Sequence, residues 1–99
     1  MTTRPFMPLP TRVAQEIPCD PSGKTKITVW PWDRTRGSYT VVASFPGSQI
    51  GLRVVPAASG KELIVVELDG RVNSHELIMG VSLMNMYREK VVEAMEKVK

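Results

Sequence analysis

Ser38-Tyr-Thr-Val-Val-Ala-Ser-Phe-Pro-Gly-Ser-Gln-Ile-Gly-Leu-Arg-Val-Val55 holds two runs of β-forming residues on either side of a Pro-Gly turn. Successive side chains of an extended chain point to opposite faces. Tyr39, Val41, Ala43 and Phe45 therefore share one face, and Ser38, Thr40, Val42 and Ser44 the other. Folding the runs back on each other across Pro46-Gly-Ser48 sets Phe45 opposite Ile50, Ala43 opposite Leu52 and Val41 opposite Val54. That register makes one continuous apolar face, so the hairpin belongs to an antiparallel sheet that needs a cover on one side.

Outward from the hairpin, similar runs occupy 26–32 and 61–68, joined to it by 33–37 and 56–60. Connections this short suit hairpins, and a four-stranded meander is the economical topology. Ile27 and Val29 then join the apolar face, while Trp30 and Trp32 fall on the other, next to Ser38 and Thr40. Pro31 interrupts this pattern, because it cannot donate to a ladder and suits an edge or a bulge.

After Asp69-Gly70 the apolar period becomes helical. Asn73 is a good N-cap with Glu76 three residues on, and Val72 and Leu77 are placed for a hydrophobic staple. One long helix is expected from about Ser74 to Val98. Its apolar residues cover more than the stripe a single sheet face requires. The surplus predicts a helix-to-helix contact in a homo-oligomer, a dimer or higher, through Leu77, Met84, Tyr87, Val91, Met95 and Val98. Residues 1–25 carry five prolines and read as an extended arm, with Phe6, Met7, Leu9, Val13 and Ile17 apolar enough to pack along the domain or a partner. The expected architecture is an α+β domain over 26–99, preceded by this arm.

Composition narrows the function classes. The 99 residues suit one domain, and 42% hydrophobic with 23% charged residues is ordinary for a globular protein. The net charge of +3 is unevenly spread. Residues 1–60 hold seven basic residues against three acids, and 61–99 hold six against seven. Excess positive charge thus accompanies both tryptophans, where an anionic partner would feel it. With Cys19 as the single cysteine, an intramolecular disulfide is impossible and a reducing cytoplasm is the simplest home. Prolines 5, 8 and 10 stand where a secretory leader needs an unbroken apolar run, and no stretch approaches the roughly 20 apolar residues of a membrane span. Secretion and membrane insertion are not expected.

For catalysis the parts are missing. His75, the one histidine, stands in the first predicted helical turn with no cysteine or acid cluster at a triad or ligand spacing, and there is no glycine-rich phosphate loop, HExxH or CxxC. No catalytic residue, metal site or cofactor is assigned. The alternative of a small enzyme with substrate beside the tryptophans has no base or metal set behind it.

The face bearing the indoles offers a different chemistry. It is expected to carry Trp30, Trp32, Thr40, Val42, Ser44, Gly51, Arg53 and Val55, with Leu63 and Val65 from the last strand. Unpaired bases stack on exposed indoles, and Lys24, Lys26, Arg34, Arg36 and Arg53 are placed to meet phosphates or to stack as cations. This predicts sequence-tolerant binding of single-stranded nucleic acid, DNA before RNA. No basic helix exists for reading duplex DNA. The rival reading makes the same face a permanent protein interface in an interaction or scaffold module, since tryptophans also anchor cores and interfaces.

Two families share this layout. The strand-rich segment from Lys26 to Leu68 followed by one apolar helix from Ser74 resembles the four-strand-plus-helix plan of the positive-cofactor type of transcription coactivator, which dimerises through its helix. Trp30-Pro-Trp32 with Arg34 and Arg36, on a small basic valine-rich chain with a C-terminal helix, more closely resembles the archaeal ThermoDBP-related proteins, which bind single-stranded DNA in the cleft of a curved sheet. Both resemblances cover roughly residues 26–98 and imply single-strand binding on the sheet.

Overall fold

The computed structural model describes residues 13–98; of the expected arm, residues 1–12, with Phe6, Met7 and Leu9, lie outside the described residues. The fold is α+β: an antiparallel sheet of five strands in sequential order, β1 (Gln15–Pro18), β2 (Lys26–Val29), β3 (Tyr39–Phe45), β4 (Ser48–Pro56) and β5 (Leu63–Leu68), with helices α1 (Ser74–Met86) and α2 (Arg88–Lys97) on one face.

The first strand is an addition to the expected meander. It lies inside the segment read as an arm, where Ile17 pairs with Ile27 and is buried. An edge strand tolerates Pro18 at its end, because no partner asks for its missing donor.

Between β3 and β4 the expected face is right and the register is two residues off. Phe45 pairs with Ser48, Ala43 with Ile50 and Val41 with Leu52. Pro46 and Gly47 alone form the turn, with Gly47 at φ 84°, whereas the expected pairing needed a longer loop. A shift of two leaves every side chain on its face. β5 departs further: Leu63 pairs with Pro56 and Val65 with Val54, so Leu63 and Val65 point to the helix side instead of the tryptophan side. A bulge at Val66 then resets the strand, and Glu67 comes opposite Arg53.

Asn73 caps α1 as its sequence suggested, its Oδ1 accepting from the Glu76 N–H at 2.8 Å. The expected single helix breaks at Tyr87, whose φ of −113° and ψ of 22° leave the helical region. α1 packs on β3 and β4, and α2 on β1 and β2. The break lets the apolar stripe follow a twisted sheet that a straight rod would leave. The Tyr87 hydroxyl ties the junction to β1's exit by donating to the Cys19 carbonyl at 3.4 Å.

The proposed helical seam is spent within the chain. Met84, Val91, Met95 and Val98 are buried against Ile27, Val29, Val41, Ile50, Leu52 and Val54, with Leu77 and Tyr87 packed partly on the same core. One sheet face with five strands consumes more helical apolar surface than the four-strand estimate allowed. Helix and sheet approach closely at Gly80, where a Cβ would overlap the Cγ2 of buried Ile50. Gly80→Ala should therefore lower stability by about 1–3 kcal/mol through overpacking, measured by urea unfolding. Were the glycine only a weak point in the helix, alanine would instead stabilise it by about 1 kcal/mol.

Candidate nucleic-acid interface

Beyond Val29 the β2–β3 ladder continues for one more bond, from the Trp30 N–H to the Thr40 carbonyl at 2.9 Å. Continuing that register would put Trp32 opposite Ser38. Instead Asp33 bridges Ser38. One extra residue has been taken up at Pro31, which has no N–H for the ladder. Trp32 turns as a result. Its N–H donates to the Val98 carbonyl at the end of α2, 3.4 Å away, and its ring meets Tyr39 edge-on at 5.0 Å between centroids and 70° between planes. The expectation that both indoles face away from the helices is thus corrected: Trp32 packs against the core, and Trp30 alone stands out, 48% exposed.

The following loop is held by Asp33. Its Oδ1 accepts from the N–H groups of Thr35 and Arg36, and its carbonyl from Gly37 at 2.7 Å, with Gly37 at φ 67°. This presents Arg34 and Arg36 in solvent beside the indole.

Together these residues border an open concavity of about 620 Å³ on the helix-free face. Trp30, Pro31, Trp32, Asp33 and Arg34 form one side, and Thr40, Val42, Arg53 and Asp69 the floor and far wall. Arg53 is 8% exposed, and its Nη1 donates to the Thr40 hydroxyl at 2.6 Å. Nη2 stands 3.5 Å from Asp69 Oδ1. The buried Nε–H has no hydrogen-bond partner, since the Glu67 carboxylate is 3.8 Å away, an ion-pair distance only. Glu67 also takes Arg36 Nη1 at 3.1 Å.

The sequence does not single out these carboxylates, because acids spread along the last strand and the helix read as a solvated face. Glu67 is the one charge in the apolar run 63–68, and it lies on the face that Arg53 occupies. Asp69 approaches because its N–H donates to the Gly51 carbonyl at 3.0 Å, and a Cβ on residue 51 would press on its side chain at 3.3 Å. Three arginines, 34, 36 and 53, thus face three acids, 33, 67 and 69. The basic excess of the linear sequence is neutralised here.

Lys24 and Lys26 are separated from this group. Lys26 pairs with Ser44 at the opposite end of the sheet, bonding Glu16 at 3.0 Å, and Lys24 sits in the adjoining turn. Among the described residues no group of three His, Cys, Asp or Glu side chains is placed to hold a metal, and no helix is long and apolar enough to cross a membrane. No family model matches the chain, and neither a curated protein nor a solved structure is significantly similar to it.

Cys19 stands apart from the concavity. Its thiol donates to the Ile17 carbonyl at 3.3 Å, and burial, reinforced by the Asp20 carboxylate, pushes its pKa up. Less thiolate is present at any pH below that raised value than in an unfolded chain. Cys19 should react with Ellman's reagent at pH 8 more slowly in the native protein than in urea, with the native rate still climbing above the pH where the unfolded rate levels off.

Proposed function

We propose that the concavity binds single-stranded nucleic acid, one base stacking on Trp30 and the neighbouring phosphates meeting Arg34 and Arg36. The observation that carries this reading is an exposed indole on an open concavity that is also lined by Arg34 and the buried guanidinium of Arg53. An indole offers a stacking face to any base, and a fixed cation in the floor favours an anionic ligand over a neutral one. The Arg53 Nε is itself closed to solvent, so the contacts with phosphate fall to the arginines of the loop. The open, shallow shape suits a strand passing through it, and the layout resemblance to the ThermoDBP-related proteins points the same way.

The structure changes the expected mechanism in two respects. Stacking falls to one indole, Trp30, while Trp32 borders the concavity but is held edge-on against Tyr39. The carboxylates also compete with phosphate for Arg36 and Arg53, so the electrostatic contribution is small. Binding is then led by stacking, at about 1–3 kcal/mol per base. Its salt dependence should correspond to about one or two neutralised phosphates. The acid–base balance of the same face favours a second reading, a protein partner carrying matching charges.

Fluorescence titration with oligo-dT at two salt concentrations tests the proposal. Quenching is expected in the native protein and in Trp32→Phe. Trp30→Ala should abolish the quenching and weaken binding about tenfold or more, measured by anisotropy of a labelled oligonucleotide. Glu67→Gln and Asp69→Asn should each tighten binding about two- to fivefold by releasing an arginine. Absence of quenching at low salt would sink the idea, and no gain from either acid substitution would remove the arginines from it.

A further inference from the structure

Among the described residues ten large hydrophobic side chains are exposed, and eight of them lie on β5 and α1. Ile64, Val65, Val66 and Leu68 of β5 range from 38% to 52% exposed. β5 is an edge strand, paired with β4 alone. Its outer backbone groups face no other strand of the sheet.

The two edges of this sheet are built differently. β1 has four residues, ends in Pro18 and carries the Glu16–Lys26 ion pair. Those are the devices that stop an edge from pairing. β5 has six residues, no proline, no lysine and one acid, Glu67, turned toward Arg53. Of those devices it carries only the bulge at Val66 and the inward-turned Glu67, and residues 63–65 ahead of them are open to a further strand.

We propose that β5 pairs antiparallel with β5 of a second copy of this chain across a two-fold axis, joining two sheets into one of ten strands. The charges at the strand's ends select its own copy as the occupant. Lys61 precedes β5, and Glu67 and Asp69 close it. Self-pairing centred on Ile64 sets Lys61 opposite Glu67 of the second copy, and pairing centred on Val65 sets it opposite Asp69. Either contact forms twice, because a two-fold interface repeats every interaction. A parallel neighbour would instead bring like charges side by side.

The helix layer supports the same axis. α1 packs chiefly on β3 and β4, which leaves the helix side of β5 only partly covered, with Val65 46% exposed. Between them runs a groove of about 480 Å³, bordered by Leu63, Val65, Val81 and Met84 and by the charged Glu62 and Arg88. Joining two β5 strands turns two such grooves into one shared trough between the α1 helices, lined by Leu63, Val65 and Val81 of both copies. The Trp30 concavity lies on the opposite face and is left open, so this pairing is independent of what that concavity binds.

Sedimentation velocity of the full chain over a concentration series, combined with amide hydrogen exchange, tests the proposal. The native chain should sediment at twice its monomer mass, with amides of residues 63–68 gaining protection as concentration rises. Ile64→Lys, at a position already exposed, should keep the native circular dichroism spectrum and raise the dimer dissociation constant about a hundredfold or more, because in either register it sets two lysines at or next to the two-fold axis. Lys61→Glu should weaken the dimer without touching the core. A monomer at every concentration overturns the proposal. So does a dimer that survives Ile64→Lys with β5 amides exchanging freely, or one that Trp30→Ala dissociates, since that places the contact on the other face.

Discussion

Proline 31 has no hydrogen to give to the ladder between β2 and β3, and the chain answers by taking up one extra residue. Three features depend on that slip. Trp30, still bonded to Thr40, stays on the helix-free face. Trp32 rotates onto Tyr39 and sends its N–H to the last carbonyl of the helical layer, at Val98. The pairing then resumes at Asp33 and Ser38, which sets the arginine loop beside the outward indole. One missing donor thereby ties the end of α2 to the sheet and separates a structural tryptophan from an exposed one.

Electrostatics on the open face are governed by Arg53. A guanidinium this deeply placed must be compensated, and Glu67, Asp69 and the Thr40 hydroxyl surround it. The bulge at Val66 makes this possible. Without it Glu67 would not come opposite Arg53, and the strand would present an apolar residue to a buried cation. The compensation is incomplete at Nε, a buried donor with no hydrogen-bond partner among the described residues. The same carboxylates remove the broad positive field that the linear sequence suggests, so the face is selective in shape and stacking more than in charge.

Apolar surface is likewise distributed by topology. A helix apolar over so much of its circumference suggests an oligomeric seam, yet a fifth strand widens the sheet and takes Met84, Val91, Met95 and Val98 into the core. The surface left over is found at β5 and the outer side of α1, where sheet order leaves an edge and the helix layer leaves a gap. Gly80, where a side chain would overlap Ile50, limits how tightly α1 can sit on β4.

Much of this was legible in the residues alone, because it rests on local periodicity. Alternation in Tyr39–Phe45 named the buried face even with the register two residues out, since a shift of two preserves facing. Asn73 and Glu76 marked the helix start, because capping is a contact between residues three apart. What the tertiary structure decided lies where distant segments compete for one position. β1 is a strand only because Ile17 finds Ile27. The helix breaks at Tyr87 because the sheet beneath it twists. Glu67 and Asp69 reach Arg53 through a bulge that no local pattern announces, and Trp32 points inward because a ladder that cannot use Pro31 must slip by one. Pairing across the sheet sets the sign of each such choice, and sequence distance carries no record of it.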